Sequence, residues 1–185
     1  MPTMRPSMNL LSPHWKHRNI KRKAVTTVAR FIRTKPAPIV KGGYGSFLPY
    51  VRKDFDQCCA YCYFHERHAG GEENFEIDHF CPQWKCLDRI NDFYNLYYSC
   101  HACNSTRKKW KWWPSDEQTA NNIGFVDFCV DDFNAHYQVL PDGALKPLSK
   151  SAEYTIDRIR LNSDHLKKMR ALLLKEGKAF DKEPS

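Results

Sequence analysis

Two short cysteine pairs constrain this chain more than any other feature. Cys59 and Cys62 have two residues between them, and Cys100 and Cys103 repeat that spacing. Thiolates at this separation each bind one side of a zinc ion, which takes four tetrahedral ligands. The pairs therefore predict a structural zinc site that joins two loops distant in sequence and leaves no coordination position for water.

The other four cysteines are expected to be spare thiols. Cys58 adjoins Cys59 but lacks the two-residue spacing to Cys62, and Cys81, Cys86 and Cys129 are predicted to be small apolar packing residues. Residues 1–23 are polar and broken by proline, which argues against a signal peptide, and no apolar run approaches the roughly 20 residues of a membrane span. We therefore expect a soluble protein in a reducing compartment, with no membrane partner.

Composition favours one modest core and an anionic partner. The chain has 185 residues, of which 42% are hydrophobic, so it can bury one core with extensions. A net charge of +8 favours polyanions such as nucleic acid, although a protein from a basic proteome has the same balance. The predicted division is a basic arm and linker over 1–45, a core with the two cysteine pairs over 46–115 and a C-terminal extension over 116–185.

The hydrophobic pattern predicts mixed secondary structure around the cysteine pairs. Apolar spacing indicates a helix near 47–55 that leads into Cys59. The patterns that follow the second cysteine pair predict a strand over 125–133, a hairpin over 136–148 and helices over 152–161 and 164–180.

Polar residues at particular positions lie between and after the cysteine pairs. Asp78 and His79 are adjacent, Asn95 precedes the second pair, and Asn104 follows it directly. With the cysteines, this arrangement resembles the HNH nuclease family over residues 59–108. The resemblance implies an α+β fold, in which a small zinc-stapled ββα-metal finger is embedded in a mainly helical domain with a short C-terminal hairpin and helices.

The resemblance also implies a role for each of these residues in phosphodiester hydrolysis. His79 is the implied general base, and Asp78 and Asn104 hold a catalytic cation. Oxygen ligands favour Mg²⁺ or Mn²⁺. Because neighbours on a strand face opposite sides, we expect Asp78 to reach the cation while His79 faces the attacking water. Asn95 is implied to tie the loop that carries the base into position.

A basic, tryptophan-rich segment follows Asn104. On a helix that opens there, cationic side chains are predicted to contact the phosphate backbone of DNA without reading sequence. These residues are Arg107, Lys108, Lys109 and Lys111. The tryptophans at 110, 112 and 113 are expected to pack a core or a partner surface rather than to stack on bases.

The C-terminal segment carries a weaker resemblance. Residues 152–162, with Leu166 and Arg170, are similar to the tail of HNH proteins from bacterial antiphage systems, including Septu-type and retron-associated nucleases. This implies a cytoplasmic bacterial protein and an ATPase subunit as partner. Ile156 and Ile159 are equally well explained by internal packing.

The sequence therefore predicts a metal-dependent HNH endonuclease, with double-stranded DNA as substrate and a role as the effector of a defence complex. A finger of this kind cuts one strand at a time, so double-strand cleavage implies a homodimer or a larger assembly. Two alternatives are a non-catalytic zinc-stapled module that binds nucleic acid and an adaptor whose aromatic surface binds protein.

Overall fold

The computed structural model describes residues 31–106 and 113–175, and within them the protein has the predicted α+β class. The helices are α1 (Leu48–Asp54), α2 (His101–Thr106), α3 (Asp116–Ala120), α4 (Phe133–His136), α5 (Lys150–Ile159) and α6 (Asp164–Lys175). The strands are β1 (Phe75–His79), β2 (Leu96–Cys100), β3 (Tyr137–Val139) and β4 (Leu145–Pro147). The predicted first helix, the C-terminal hairpin and the last two helices are confirmed.

The strand pair β1–β2 and the helix α2 form the centre of the protein. The strands are antiparallel, with Phe75 opposite Cys100 and His79 opposite Leu96. Every residue of β2 is buried, and the chain passes from its last residue straight into α2. The helix α2 packs against both strands, so the strand β1 and the helix α2 are in direct contact.

Aromatic side chains supply most of the core. Tyr97 of β2 packs its ring against Phe55 and Phe80, with centroids 5.2 and 4.9 Å apart. On the other side, Phe128 and Phe133 both meet the ring of Tyr63 edge-on. Side chains of the predicted segments 46–115 and 116–185 therefore share one continuous core.

The predicted strand over 125–133 is wrong. Its backbone amides bond to side chains and to the Asp127 carbonyl instead of to a neighbouring strand, and the segment turns before α4 begins. The carboxylates of Asp127 and Asp131 accept from Cys129 N and Asp127 N, at 3.0 and 2.9 Å. The side chains of Phe125, Val126, Phe128 and Phe133 still point inward, although Val130 is exposed, so burial gave the strand-like pattern.

Arg170 of α6 ties the C-terminal elements together from a fully buried position. Its Nε donates to the carbonyl of Gly143 at 2.5 Å, and its Nη2 donates to the carbonyl of Leu161. These bonds join the β3–β4 turn to the end of α5. Leu166 is buried in the core, and Met169 and Leu173 on the same side of α6 pack against it. Residues 176–180 of the predicted last helix lie outside the described residues.

No helix in the described ranges has both the length and the hydropathy of a membrane-spanning segment. The N-terminal arm up to residue 30 and the segment 107–112 lie outside those ranges. Trp113 is half-buried and packs against Phe80 and Phe125, which agrees with its predicted packing role.

The docking of the β3–β4 turn on α6 predicts a severe effect at Gly143. Its φ is +80°, and an added Cβ would lie 2.0 Å from the main-chain oxygen of Lys167. We expect Gly143→Ala to lower the free energy of unfolding by more than about 2 kcal/mol, measured by urea denaturation. Gly45→Ala is the matched control, because no heavy atom lies within 4 Å of its added Cβ. Equal urea midpoints for the two variants would contradict the contact.

Candidate metal centre and active site

The four predicted zinc ligands meet at one buried point. The sulfur atoms of Cys59, Cys62, Cys100 and Cys103 all lie within 4.8 Å of one another, and the side chains are buried. Cys62 Sγ and Cys100 Sγ are 3.9 Å apart. A tetrahedral zinc with bonds of about 2.3 Å places its sulfurs about 3.8 Å apart. The donor set therefore fits a structural metal ion such as zinc.

Two local structures present these thiols. The first pair lies on a tight turn after α1, in which Cys59 N donates to the carbonyl of Phe64 at 2.9 Å. Ala60 N docks this turn on β2 by donating to the carbonyl of Tyr98 at 2.7 Å. The second pair lies at the junction of β2 and α2, so a bound ion would join the turn to the end of the central hairpin.

The four thiols perturb one another's protonation. Burial raises the pKa of the Cys59 thiol, but hydrogen bonds from the three neighbouring thiols outweigh burial and lower it. Hydrogen bonding with Cys100 raises the pKa of both Cys62 and Cys103. Four thiolates cannot share a buried pocket without a positive ion, so metal binding would release protons from this cluster.

Two of the cysteines predicted to be spare thiols are paired instead. Cys81 and Cys86 form a disulfide, with their Cα atoms 6.0 Å apart. A turn at Pro82 brings them together, because Lys85 N and Cys86 N both donate to the Pro82 carbonyl. The prediction of packing thiols is wrong for this pair, while Cys58 and Cys129 form no disulfide with another described residue.

Asp78 and His79 end β1 in a largely enclosed position. Their exposed fractions are 3% and 6%. Contrary to the expectation that His79 faces the attacking water, its imidazole does not face open solvent. The Tyr61 hydroxyl donates to Asp78 Oδ2 at 2.5 Å. The ring of Tyr44, which is 38% exposed, covers the His79 ring edge-on at a centroid distance of 4.7 Å.

The partners of His79 assign its neutral tautomer. Nε2 lies 2.9 Å from the carbonyl of Ile90, which can only accept, so Nε2 carries the hydrogen. Nδ1 is then the basic nitrogen, and it accepts from the exposed amide of Gln83 at 3.2 Å. Burial lowers the pKa of His79 below its usual 6.5, although the bond to Ile90 raises it in part. The imidazole is therefore neutral and able to accept a proton at neutral pH.

Asn95 holds the loop between β1 and β2 on the side of His79. Its Oδ1 accepts from Cys81 N at 2.8 Å, and its Nδ2 donates to the carbonyls of Cys81 and Arg89 at 3.0 and 3.2 Å. The side chain is 1% exposed. The side-chain amide of Asn95 thus forms hydrogen bonds to both ends of the segment that contains Gln83 and leads to Ile90.

The remaining predicted site residues divide between two parts of the chain. Asn104 is half-exposed on α2, the helix that packs against β1. His101, one turn earlier, is exposed and lies 3.2 Å from the carboxylate of Glu76. The predicted DNA-contacting residues Arg107, Lys108, Lys109 and Lys111 lie outside the described residues.

Sequence reasoning missed the groups that orient Asp78 and His79. Tyr61 lies between the two cysteines of the first pair, so its position near the thiols is predictable from the sequence. Gln83 and the Ile90 carbonyl contact His79 only because the loop folds back over β1. No local sequence pattern predicts this folding of the loop. Comparisons with known proteins add no assignment, since no family model matches the chain and no curated protein is similar to it.

The thiol cluster predicts a metal-dependent fold. We expect the purified protein to hold about one ion per chain, and Cys103→Ser to reduce that content to near zero, because a tetrahedral site needs all four thiolates. The melting temperature should fall with it. Elemental analysis and circular dichroism measure the two effects. Cys58→Ser is the matched control, since Cys58 lies beside the cluster outside the ligand set, and metal retained in Cys103→Ser would contradict the site.

Proposed function

We propose that the protein is a metal-dependent endonuclease of the HNH type, which hydrolyses phosphodiester bonds of DNA. One observation carries the proposal: the Ile90 carbonyl holds the hydrogen of the His79 imidazole on Nε2, which leaves Nδ1 as the basic nitrogen of a residue adjacent in sequence to Asp78. It lies at the end of β1, whose partner strand leads into the helix of Asn104. Two strands and a helix in this order are what a ββα-metal finger requires.

Zinc is the proposed ion of the thiol cluster. Four buried thiols with no oxygen ligand favour zinc over magnesium or calcium, because soft thiolates suit zinc and hard oxygen ligands suit the other two. All four positions of a tetrahedral ion would be filled by protein, so the role of this zinc is structural.

His79 acts as the general base. Its Nδ1 accepts a proton from a water molecule as that water attacks the phosphorus atom. The Ile90 carbonyl keeps the hydrogen on Nε2 and then stabilises the imidazolium that forms, because it accepts from the opposite nitrogen. The amide of Gln83 occupies the place of the attacking water, and its exposed side chain can move away when substrate binds.

Asp78 and Asn104 are the proposed holders of the catalytic cation. A carboxylate and an amide provide the oxygen donors that Mg²⁺ or Mn²⁺ prefers, so the residues fit such an ion. When bound, the ion would stabilise the negative charge that grows on the phosphate oxygens. The hydrogen bond from the Tyr61 hydroxyl already orients the Asp78 carboxylate for this role.

DNA as substrate and a role in defence are the broader parts of the proposal. The net charge of +8 and the basic segment after α2 support a nucleic acid as substrate. The bacterial antiphage role, with an ATPase partner, is supported by the resemblance of residues 152–162 alone. Ile159 and Leu161 in that segment are buried in the protein's own core.

Replacement of His79 tests the proposal directly. We expect His79→Ala to reduce Mg²⁺- or Mn²⁺-dependent cleavage of plasmid DNA at least about 100-fold, because the water then lacks its general base. Zinc content and DNA affinity, measured in parallel, should stay near the unmodified values. His165→Ala is the matched control, since His165 lies exposed on α6.

Each failure of this test has a distinct meaning. DNA binding without cleavage by the unmodified protein would favour the non-catalytic binding module. Absence of both binding and cleavage would favour the protein adaptor. Equal cleavage by His79→Ala and the unmodified protein would remove His79 from the mechanism.

The pH dependence of cleavage follows from the burial of His79. The base acts only when neutral, so activity falls as the pH drops through its pKa. Since burial lowers that pKa, the acidic limb of the single-turnover rate should have its midpoint below 6.5. Rates measured from pH 5 to 8 at saturating Mn²⁺ check this, and a midpoint above 6.5 would contradict it.

A further inference from the structure

Tyr61 contacts both a thiol of the metal centre and the carboxylate proposed to bind the catalytic cation. Its main-chain N donates to Cys59 Sγ at 3.5 Å, and its hydroxyl donates to Asp78 Oδ2 at 2.5 Å. The exposed fractions of Tyr61 and Asp78 are 1% and 3%.

The position of the Tyr61 hydroxyl depends on the cysteine turn. Residues 59–62 form the turn, and the Tyr61 ring packs nearly parallel to that of Tyr97, with centroids 6.2 Å apart. Ala60 N bonds to the Tyr98 carbonyl on β2, next to this ring. An ion at the thiols fixes the turn, so it also fixes the hydroxyl that Asp78 accepts from.

A fixed hydroxyl affects how Asp78 can bind a cation. A carboxylate held by one donor has its rotamer set before an ion arrives, so binding costs less side-chain entropy. The hydroxyl also satisfies a buried carboxylate when no cation is bound. Partners of this kind typically change metal affinity or activity 10- to 100-fold when they are removed.

We infer that Tyr61 is a positioning residue that couples the two sites, so that occupancy of the thiol centre sets the cation affinity at Asp78. This inference rests on the proposed function. The structural ion then supports the nuclease as well as the fold: its loss releases the cysteine turn, removes the donor from Asp78 and weakens cation binding.

The test is Tyr61→Phe, which keeps the ring and removes only the donor. We expect its affinity for Mn²⁺, measured by titration calorimetry, to weaken about 10- to 100-fold while zinc content stays unchanged. Cleavage should need correspondingly more Mg²⁺ and recover at saturation, because the base is intact. A purely structural hydroxyl would lower the stability without shifting the Mg²⁺ requirement.

Tyr98→Phe is the matched control. The Tyr98 hydroxyl is equally buried and also donates to a carboxylate, that of Glu66, at 2.8 Å. Glu66 is outside the proposed site, so this variant should keep the Mn²⁺ affinity and the Mg²⁺ requirement of the unmodified protein.

A second measurement uses the unmodified protein and does not depend on how the variants fold. In protein with ¹³C-labelled tyrosine, sub-stoichiometric Mn²⁺ should broaden the Tyr61 ring signal before that of Tyr137 in β3, because Tyr61 touches the proposed ligand. Mn²⁺ binding without this broadening, or unchanged affinity in Tyr61→Phe, would overturn the coupling. An unmodified protein that neither binds Mn²⁺ nor cleaves would instead overturn the proposed function, and the coupling with it.

Discussion

The convergence of four buried thiols is the constraint on which the rest of the structure depends. It joins the turn after α1 to the junction of β2 and α2, two places separated by the whole central hairpin. A structural zinc in such a setting contributes an apparent free energy of about 10–16 kcal/mol. A small domain has a total stability of about 5–15 kcal/mol. A metal ion bound by these thiols would therefore contribute enough free energy to decide whether the domain folds.

Around that centre, buried polar side chains replace regular secondary structure. The loop between β1 and β2 is irregular, and the amide of Asn95 holds it by three hydrogen bonds. The buried Arg33 also holds this loop: its Nη2 donates to the Phe93 carbonyl at 2.6 Å, and its Nε pairs with Asp54. A loop fixed in this way presents Gln83 and Ile90 to the imidazole of His79 in one defined arrangement.

The sequence and the tertiary structure contributed differently to the secondary structure. The hairpin over 136–148 was predictable, because Gly143 supplies the positive φ that its turn needs. The strand predicted over 125–133 is wrong because the side chains of two aspartates accept hydrogen bonds from backbone amides of this segment. A pattern of buried residues is the same in such a segment as in a strand that pairs in a sheet. The Cys81–Cys86 disulfide was also missed, since a turn at Pro82 brings the two together and spacing alone did not reveal it.

The sequence by itself determined the ligand set of the metal centre and the order of Asp78, His79, Asn95 and Asn104, because spacing along the chain fixes which residues one turn or one strand can present. Only the tertiary structure decided the chemical state of those residues. Burial lowers the pKa of His79, a carbonyl eleven residues away selects its tautomer, and Tyr61 orients Asp78. Such effects arise where segments distant in sequence pack together and exclude water. The order of residue types along the chain does not show which segments will pack together.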